Sequence, residues 1–166
     1  MGPRCYLSQH GRAVGREEDP TRPLSPLGRE EIARVAGFLS LFERPQPAVI
    51  YCSDKLRARQ SAEMFAEAWQ VANVVSRPVL APAADPIDAL RLLEKASVER
   101  SGPIMLVGHL PHLARLAALL LLGRDAGAPI RFANGGVVCL QQEEAGWQTV
   151  WQINPTMFYR SDDRPA

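Results

Sequence analysis

The chain has 166 residues, 46% of them apolar, and its 19 basic and 18 acidic side chains leave a formal net charge of +1. That length suits one domain over residues 1–166, able to bury roughly 70% of the surface its unfolded chain exposes. Balanced charge with no lysine/arginine run excludes a protein held to nucleic acid by phosphate contacts, and the most apolar run, 113–122, is broken by Arg115 and too short to span a bilayer.

The start shows no signal-peptide pattern, because Met1 to Leu7 is too short for an apolar core and the following residues are polar. The three cysteines, Cys5, Cys52 and Cys139, have neither CxxC nor zinc spacing and read as buried reduced thiols. The expectation is a soluble cytoplasmic chain with no nucleic-acid or membrane partner.

In chain order, Cys5-Tyr6-Leu7 is a short apolar strand that runs into the polar turn Ser8-Gln9-His10-Gly11. Gly11 allows a positive φ there, or a close approach to a bound group. A charged, proline-rich loop covers 12–26. Ser25 as N-cap and Pro26 in the first turn open a helix over Leu27 to Phe42, with Ile32, Val35, Ala36 and Leu39 at helical spacing. Ala48 to Cys52 is β-branched and aromatic, a second strand.

Ser53-Asp54 is a turn with capping chemistry, followed by a helix from Lys55 to Trp69. Asn73 to Val79 reads as a third strand, and 78–86 as a proline-rich loop. Ile87 to Glu99 is a helix with Leu90, Leu93 and Val98 as its apolar members. Pro103 to Val107 is an apolar strand ending in Gly108-His109-Leu110-Pro111. A nearly all-apolar helix follows over Pro111 to Leu122. Gly136 to Gln141 and Gln148 to Ile153 form a closing hairpin, and the polar tail 160–166 is expected to fray.

This alternation specifies an α/β three-layer sandwich: a mostly parallel central sheet with helices on both faces and antiparallel pairing from the hairpin. Ligands of such folds bind past the carboxyl ends of strands. Three polar turns stand there: His10 after the first strand, Ser53 to Ala58 after the second, and His109 after the fourth. Only three histidines exist, and two of them sit at strand ends. The third, His112, lies three residues after His109, but two histidines do not make a metal site, and no His/Asp/Glu cluster has ligand spacing.

The order of these turns resembles the histidine phosphatase superfamily, which has the phosphoglycerate-mutase-like fold. Its Arg-His-Gly motif matches Gln9-His10-Gly11, its Ser-Pro-x-x-Arg-Ala-x-Gln-Thr motif matches Ser53-Asp54-Lys55-Leu56-Arg57-Ala58-Arg59-Gln60-Ser61, and its Gly-His matches Gly108-His109. Arg22-Pro23-Leu24-Ser25 and the ending Trp151 to Pro155 are similar to the small SixA-type phosphohistidine phosphatases. The resemblance spans Leu7 to Pro155.

What it implies is transfer of a phosphoryl group to His10, whose neutral ring would attack phosphorus and form a covalent phosphohistidine that water then hydrolyses. The other ring nitrogen needs an acceptor to fix the tautomer, and the turn at Gly11 is a natural source. Arg57 would hold two phosphate oxygens with its planar fork, near a helix N-terminus. His109, if protonated, would donate to another oxygen. Gln9, Gly11, Arg22 and Ser53 are the expected phosphate or substrate contacts. Neither a metal nor another cofactor is implied.

Two departures bear on this reading. Gln9 replaces the family's arginine, and losing one charge-assisted donor can cost about 3–4 kcal/mol of transition-state stabilisation; Arg12, Arg22 or Lys55 could supply a charge instead. Valine stands at Val79, where many relatives carry a glutamate acid; Asp85, Asp88 or no residue at all could take that part. A phosphohistidine needs such an acid less than a phosphomonoester does, since its imidazole can leave already protonated. The expected partner is therefore a phosphorylated protein, such as a histidine phosphotransfer domain, or a small phosphorylated substrate. The other reading is a disarmed member of the fold that binds a phosphorylated ligand or a protein.

Overall fold

The computed structural model describes residues 2–160 with 162 and 163. Of the tail expected to fray, 161 and 164–166 lie outside the described residues. Six strands form one sheet: β1 (Arg4–Gln9), β2 (Val49–Cys52), β3 (Val74–Ser76), β4 (Ile104–Gly108), β5 (Val137–Glu143) and β6 (Gly146–Ile153). Their spatial order is β3-β2-β4-β1-β5-β6. The pairs β2–β3, β2–β4 and β1–β4 are parallel, while β5 runs antiparallel to both β1 and β6. The α/β, mostly parallel architecture is as the alternation of elements predicts.

Register is what matters for the site. β4 inserts between β1 and β2, and Gln9 pairs with Gly108 while Cys52 pairs with Val107. The three strands therefore end at one level. The residue after each of them, His10, Ser53 and His109, is delivered to the same sheet edge.

The helices are α1 (Pro26–Phe42), α2 (Leu56–Trp69), α3 (Pro86–Glu99) and α4 (His112–Leu122). Helices α1 and α2 cover one face, packing Ile32, Val35, Ala62 and Phe65 on Tyr6, Ile50, Met105 and Cys139. Helices α3 and α4 cover the other, packing Ala89, Leu93, Leu113 and Leu116 on Leu7, Tyr51, Leu106 and Val138. Alternate residues of each strand thus feed two separate cores, as period-2 geometry requires. The central strands are buried along their length, and fully burying each large apolar side chain contributes roughly 1.5–3 kcal/mol. All three cysteines are free and buried. Among the described residues no helix is long and apolar enough to cross a membrane.

Local chemistry explains where the sequence reading was right and where it shifts. Ser25 caps α1, its side chain accepting from Gly28 N at 3.0 Å, with Pro26 in the first turn. The third strand is shorter than the expected 73–79: Pro78 has no N–H to donate to a sheet, and residues Pro78–Leu80 turn instead into a 3-10 helix. Val98 is not a core residue of α3. It is 89% exposed, and the buried face is carried by Ala89, Leu93 and Ala96.

Gly28 has a specific structural task. A Cβ there would lie 2.1 Å from the Arg12 carbonyl oxygen, so only glycine lets the start of α1 lie against the chain leaving the His10 turn. Gly28→Ala is expected to lower stability by about 1–3 kcal/mol. In urea denaturation the midpoint should fall with an unchanged m-value.

Candidate active site

His10 lies one residue beyond β1, and its backbone is held on both sides. Its N–H donates to Gly108 O at 3.0 Å across to β4, and its carbonyl accepts from Asn134 Nδ2 at 2.9 Å on the β5 side. The ring is fixed too. Nδ1 is 2.7 Å from Gly11 O, a carbonyl that can only accept, so Nδ1 carries the proton. Nε2 then holds the lone pair, and it accepts from Arg57 Nε at 3.2 Å.

Burial pushes the His10 ring down to about 4, and the charges of Arg57 and Arg22 push the same way, against the Gly11 hydrogen bond. At neutral pH it is a neutral imidazole with one directed lone pair. Such a nitrogen is a nucleophile that needs no base.

Arg57 sits in the first turn of α2, whose N-cap, Lys55, makes no side-chain cap. Its guanidinium is disfavoured as a cation first by burial and then by the charges of Arg22 and Arg16, so two more cations stand near it. The motif residues that follow Arg57 act as anchors. Ser61 Oγ accepts from Gly11 N at 2.9 Å and donates to Arg57 O at 2.6 Å, tying the histidine turn to the arginine's own backbone. Gln60 Oε1 accepts from Leu24 N at 2.8 Å and so holds the return of the 12–26 loop.

Arg22 rides on that return. It has φ 50°, a left-handed conformation that costs a non-glycine residue roughly 1–2 kcal/mol. Local bonds impose it: Val14 N donates to Pro23 O at 2.9 Å, and Arg22 Nε donates to Val14 O at 3.3 Å. Strain kept in this way marks a position the fold over-determines.

His109 follows β4 and is 2% exposed. Its ring lies 4.9 Å from that of His10, centre to centre, and its Nε2 is 2.8 Å from Ser53 Oγ. Burial, with the charges of His10, Arg57, Lys55 and His112, pushes His109 down to about 3. It is therefore neutral at physiological pH, so the condition attached to its expected donor role, a protonated ring, is not met in this structure.

Three further expectations change. Ser53 is fully buried with its hydroxyl on His109, so it reaches the site through that ring rather than by touching phosphate. Gly11 does not use a positive φ; a Cβ there would lie 2.6 Å from Ile32 Cδ1, so its need is close packing against α1. Arg12 donates to Glu31 Oε2 at 3.2 Å and is committed there.

Neither candidate acid is directed at His10. Asp85 Oδ1 caps α3 by accepting from Ile87 N at 3.0 Å, and Asp88 pairs with Arg91 at 3.2 Å on the surface. Val79 lies within the 3-10 turn. Asn134 was missed by sequence reasoning; an Asn-Gly-Gly run just before a strand is its one signal. His112 is buried as well and pushed down first by burial. Among the described residues no cluster of His, Cys, Asp and Glu could hold a metal.

A neutral imidazole facing a guanidinium, with a second histidine beside it at one sheet edge, is an arrangement whose chemistry suits a tetrahedral oxyanion held against a ring nitrogen. The family model of the histidine phosphatase superfamily, branch 1, matches residues 5–81. That match covers the amino-terminal part of the chain, and the fold is shared with solved structures along nearly its whole length. No curated protein sequence matches it.

Among solved structures, it is similar to the protein histidine phosphatase SixA complexed with tungstate, at 22% identity and TM-score 0.80, over 94% of this chain and 99% of that one. A SixA protein from Agrobacterium tumefaciens gives 24% identity and TM-score 0.75, over 93% and 99%. A mycobacterial glucosyl-3-phosphoglycerate phosphatase with VO3 gives 21% and 0.69, over 90% and 99%.

The depressed histidines set the acid behaviour of the fold. Unfolded rings take up protons near 6.5, while folded His10 and His109 resist until about 4 and about 3. Below 6.5 the unfolded state binds more protons, so stability is complete above that pH and is lost as pH falls toward the folded values. Urea midpoints between pH ~7 and ~4.5 should drop, and the drop should be smaller in His109→Gln than in the unmutated chain.

Proposed function

We propose that this protein is a phosphatase that takes a phosphoryl group onto Nε2 of His10 and releases it to water. The observation that supports this best is the pair of bonds on the His10 ring: Nδ1–H to Gly11 O at 2.7 Å and the Nε2 lone pair toward Arg57 at 3.2 Å. In the first step Nε2 donates its pair to phosphorus, and the bond to the leaving group breaks with its electrons. Arg57 turns from the lone pair to the equatorial oxygens, where its fork binds two at once. The positive charge that develops on the phosphorylated ring is shared through Nδ1–H with the Gly11 carbonyl. In the second step water attacks phosphorus, the P–N bond breaks, and its electron pair returns to Nε2.

Phosphohistidine on a protein, such as a histidine phosphotransfer domain, is the substrate this site suits. Both aspartates that could protonate an alkoxide are engaged at the start of α3. A P–N substrate needs no such acid, because its imidazole leaves as a neutral group once it carries a proton. The charges that replace an arginine at position 9 come from the 12–26 loop, where Arg22 and Arg16 act on Arg57. Gln9 and the unoccupied acid position favour a second reading, a member of the fold that binds phosphorylated ligands without turnover.

Phosphate release from a phosphohistidine-bearing protein decides between them. The unmutated chain should turn over and His10→Ala should not. Gln9→Arg should raise kcat by up to about 10²-fold if the missing donor limits the rate. Turnover appearing only in Gln9→Arg would replace the phosphatase reading with the binding one.

A further inference from the structure

Ser53 and His109 form a buried pair whose proton positions can be read from their neighbours. Ser53 is fully buried and His109 is 2% exposed. Ser53 Oγ is 3.3 Å from Lys55 N, which can only donate, so one lone pair of the hydroxyl is used there. Its own proton can go to His109 Nε2 at 2.8 Å or to Asp54 Oδ1 at 3.4 Å. The shorter contact takes it, since hydroxyl hydrogen bonds weaken toward 3.4 Å.

His109 Nε2 then accepts, and a neutral imidazole that accepts at Nε2 must carry its proton on Nδ1. That Nδ1 is buried and has no protein partner among the described residues. An unpaired buried donor costs about 1–3 kcal/mol, and this one belongs to a ring only 4.9 Å, centre to centre, from His10.

We infer that Ser53 fixes His109 as the Nδ1–H tautomer, so that His109 acts on the phosphoryl group as a neutral hydrogen-bond donor, with Ser53 as its positioning residue. The inference rests on the phosphatase reading for the identity of the acceptor, but not for the tautomer. The opposite tautomer would leave Nδ1 with a lone pair, which repels an oxyanion in place of donating to it. A neutral donor also spares the site a fourth cation beside Arg57, Arg22 and Arg16. It further makes the donor independent of pH across the neutral range, because no protonation event is needed to create it.

The test reads the tautomer directly. In the free, 15N-histidine-labelled protein at neutral pH, His109 should show Nδ1 protonated and Nε2 bare, and inorganic phosphate should perturb Nδ1–H more than Nε2. In Ser53→Ala the ring should lose this bias and show a mixed tautomer, with kcat down about 10²-fold and KM less affected. Ser53→Thr, which keeps the hydroxyl, should restore the Nδ1–H signature and much of the rate.

Protonated Nε2 in the unmutated chain would overturn the inference, as would an unchanged tautomer in Ser53→Ala. Absence of any phosphate effect or turnover, with the tautomer as stated, would overturn the phosphatase reading and the donor role with it. The two failures are thus distinct. If Ser53→Ala does not fold, Ser53→Cys, with its weaker donor, serves for the same ring measurement.

Discussion

The hydrogen bond from His10 Nδ1 to the Gly11 carbonyl is the interaction on which the site depends. It is 2.7 Å long and costs the ring one nitrogen. In return it leaves the other nitrogen bare and directed. Without that bond the imidazole could place its proton on either nitrogen, and half the ring orientations would present an N–H to an incoming group. Burial keeps the ring neutral, so the fold presents an imidazole with a free lone pair at ordinary pH, the form the proposed nucleophile needs.

Much of the surrounding structure holds Gly11 and His10 still. Ser61 accepts the Gly11 N–H, Asn134 and Gly108 hold the His10 main chain, and α1 presses on Gly11 through Ile32. Gln60 and the strained Arg22 extend this frame to the loop that faces Arg57. These contacts reach the histidine turn from α1, α2, β4 and the segment before β5. The site is therefore positioned by rigid elements on all sides, as electrostatic catalysis requires of groups that must not reorganise. In the proposed reaction the two neutral histidines and the nearby arginines would divide the labour: cations for the oxyanion's charge, imidazoles for a lone pair and a proton at fixed points.

A good deal was legible in the sequence. The alternation of strand and helix named the fold class, because a half-buried helix and a doubly covered strand bury different periodicities. His10, Arg57 and His109 were legible because they follow apolar strands in a chain with few histidines. The element boundaries mostly followed local chemistry, Ser25 and Pro26 at α1 being an example. Two errors also trace to local causes: Pro78 ended β3 early, and α3 buries its alanines while Val98 faces water.

What the tertiary structure alone decided is who meets whom. Nothing local says that β4 slides between β1 and β2, yet that order brings His109 to within 4.9 Å of His10, ring to ring, across 99 positions of chain. Nothing local says that Ser53 faces His109 rather than phosphate, that Asn134 reaches His10 from 124 residues away, or that Arg12 is committed to Glu31 while Arg22 and Arg16 stand by Arg57. Residue type and period are properties of a segment and survive in the sequence. Proximity, tautomer and burial arise only when segments distant along the chain share one low-dielectric space, so they belong to the folded molecule.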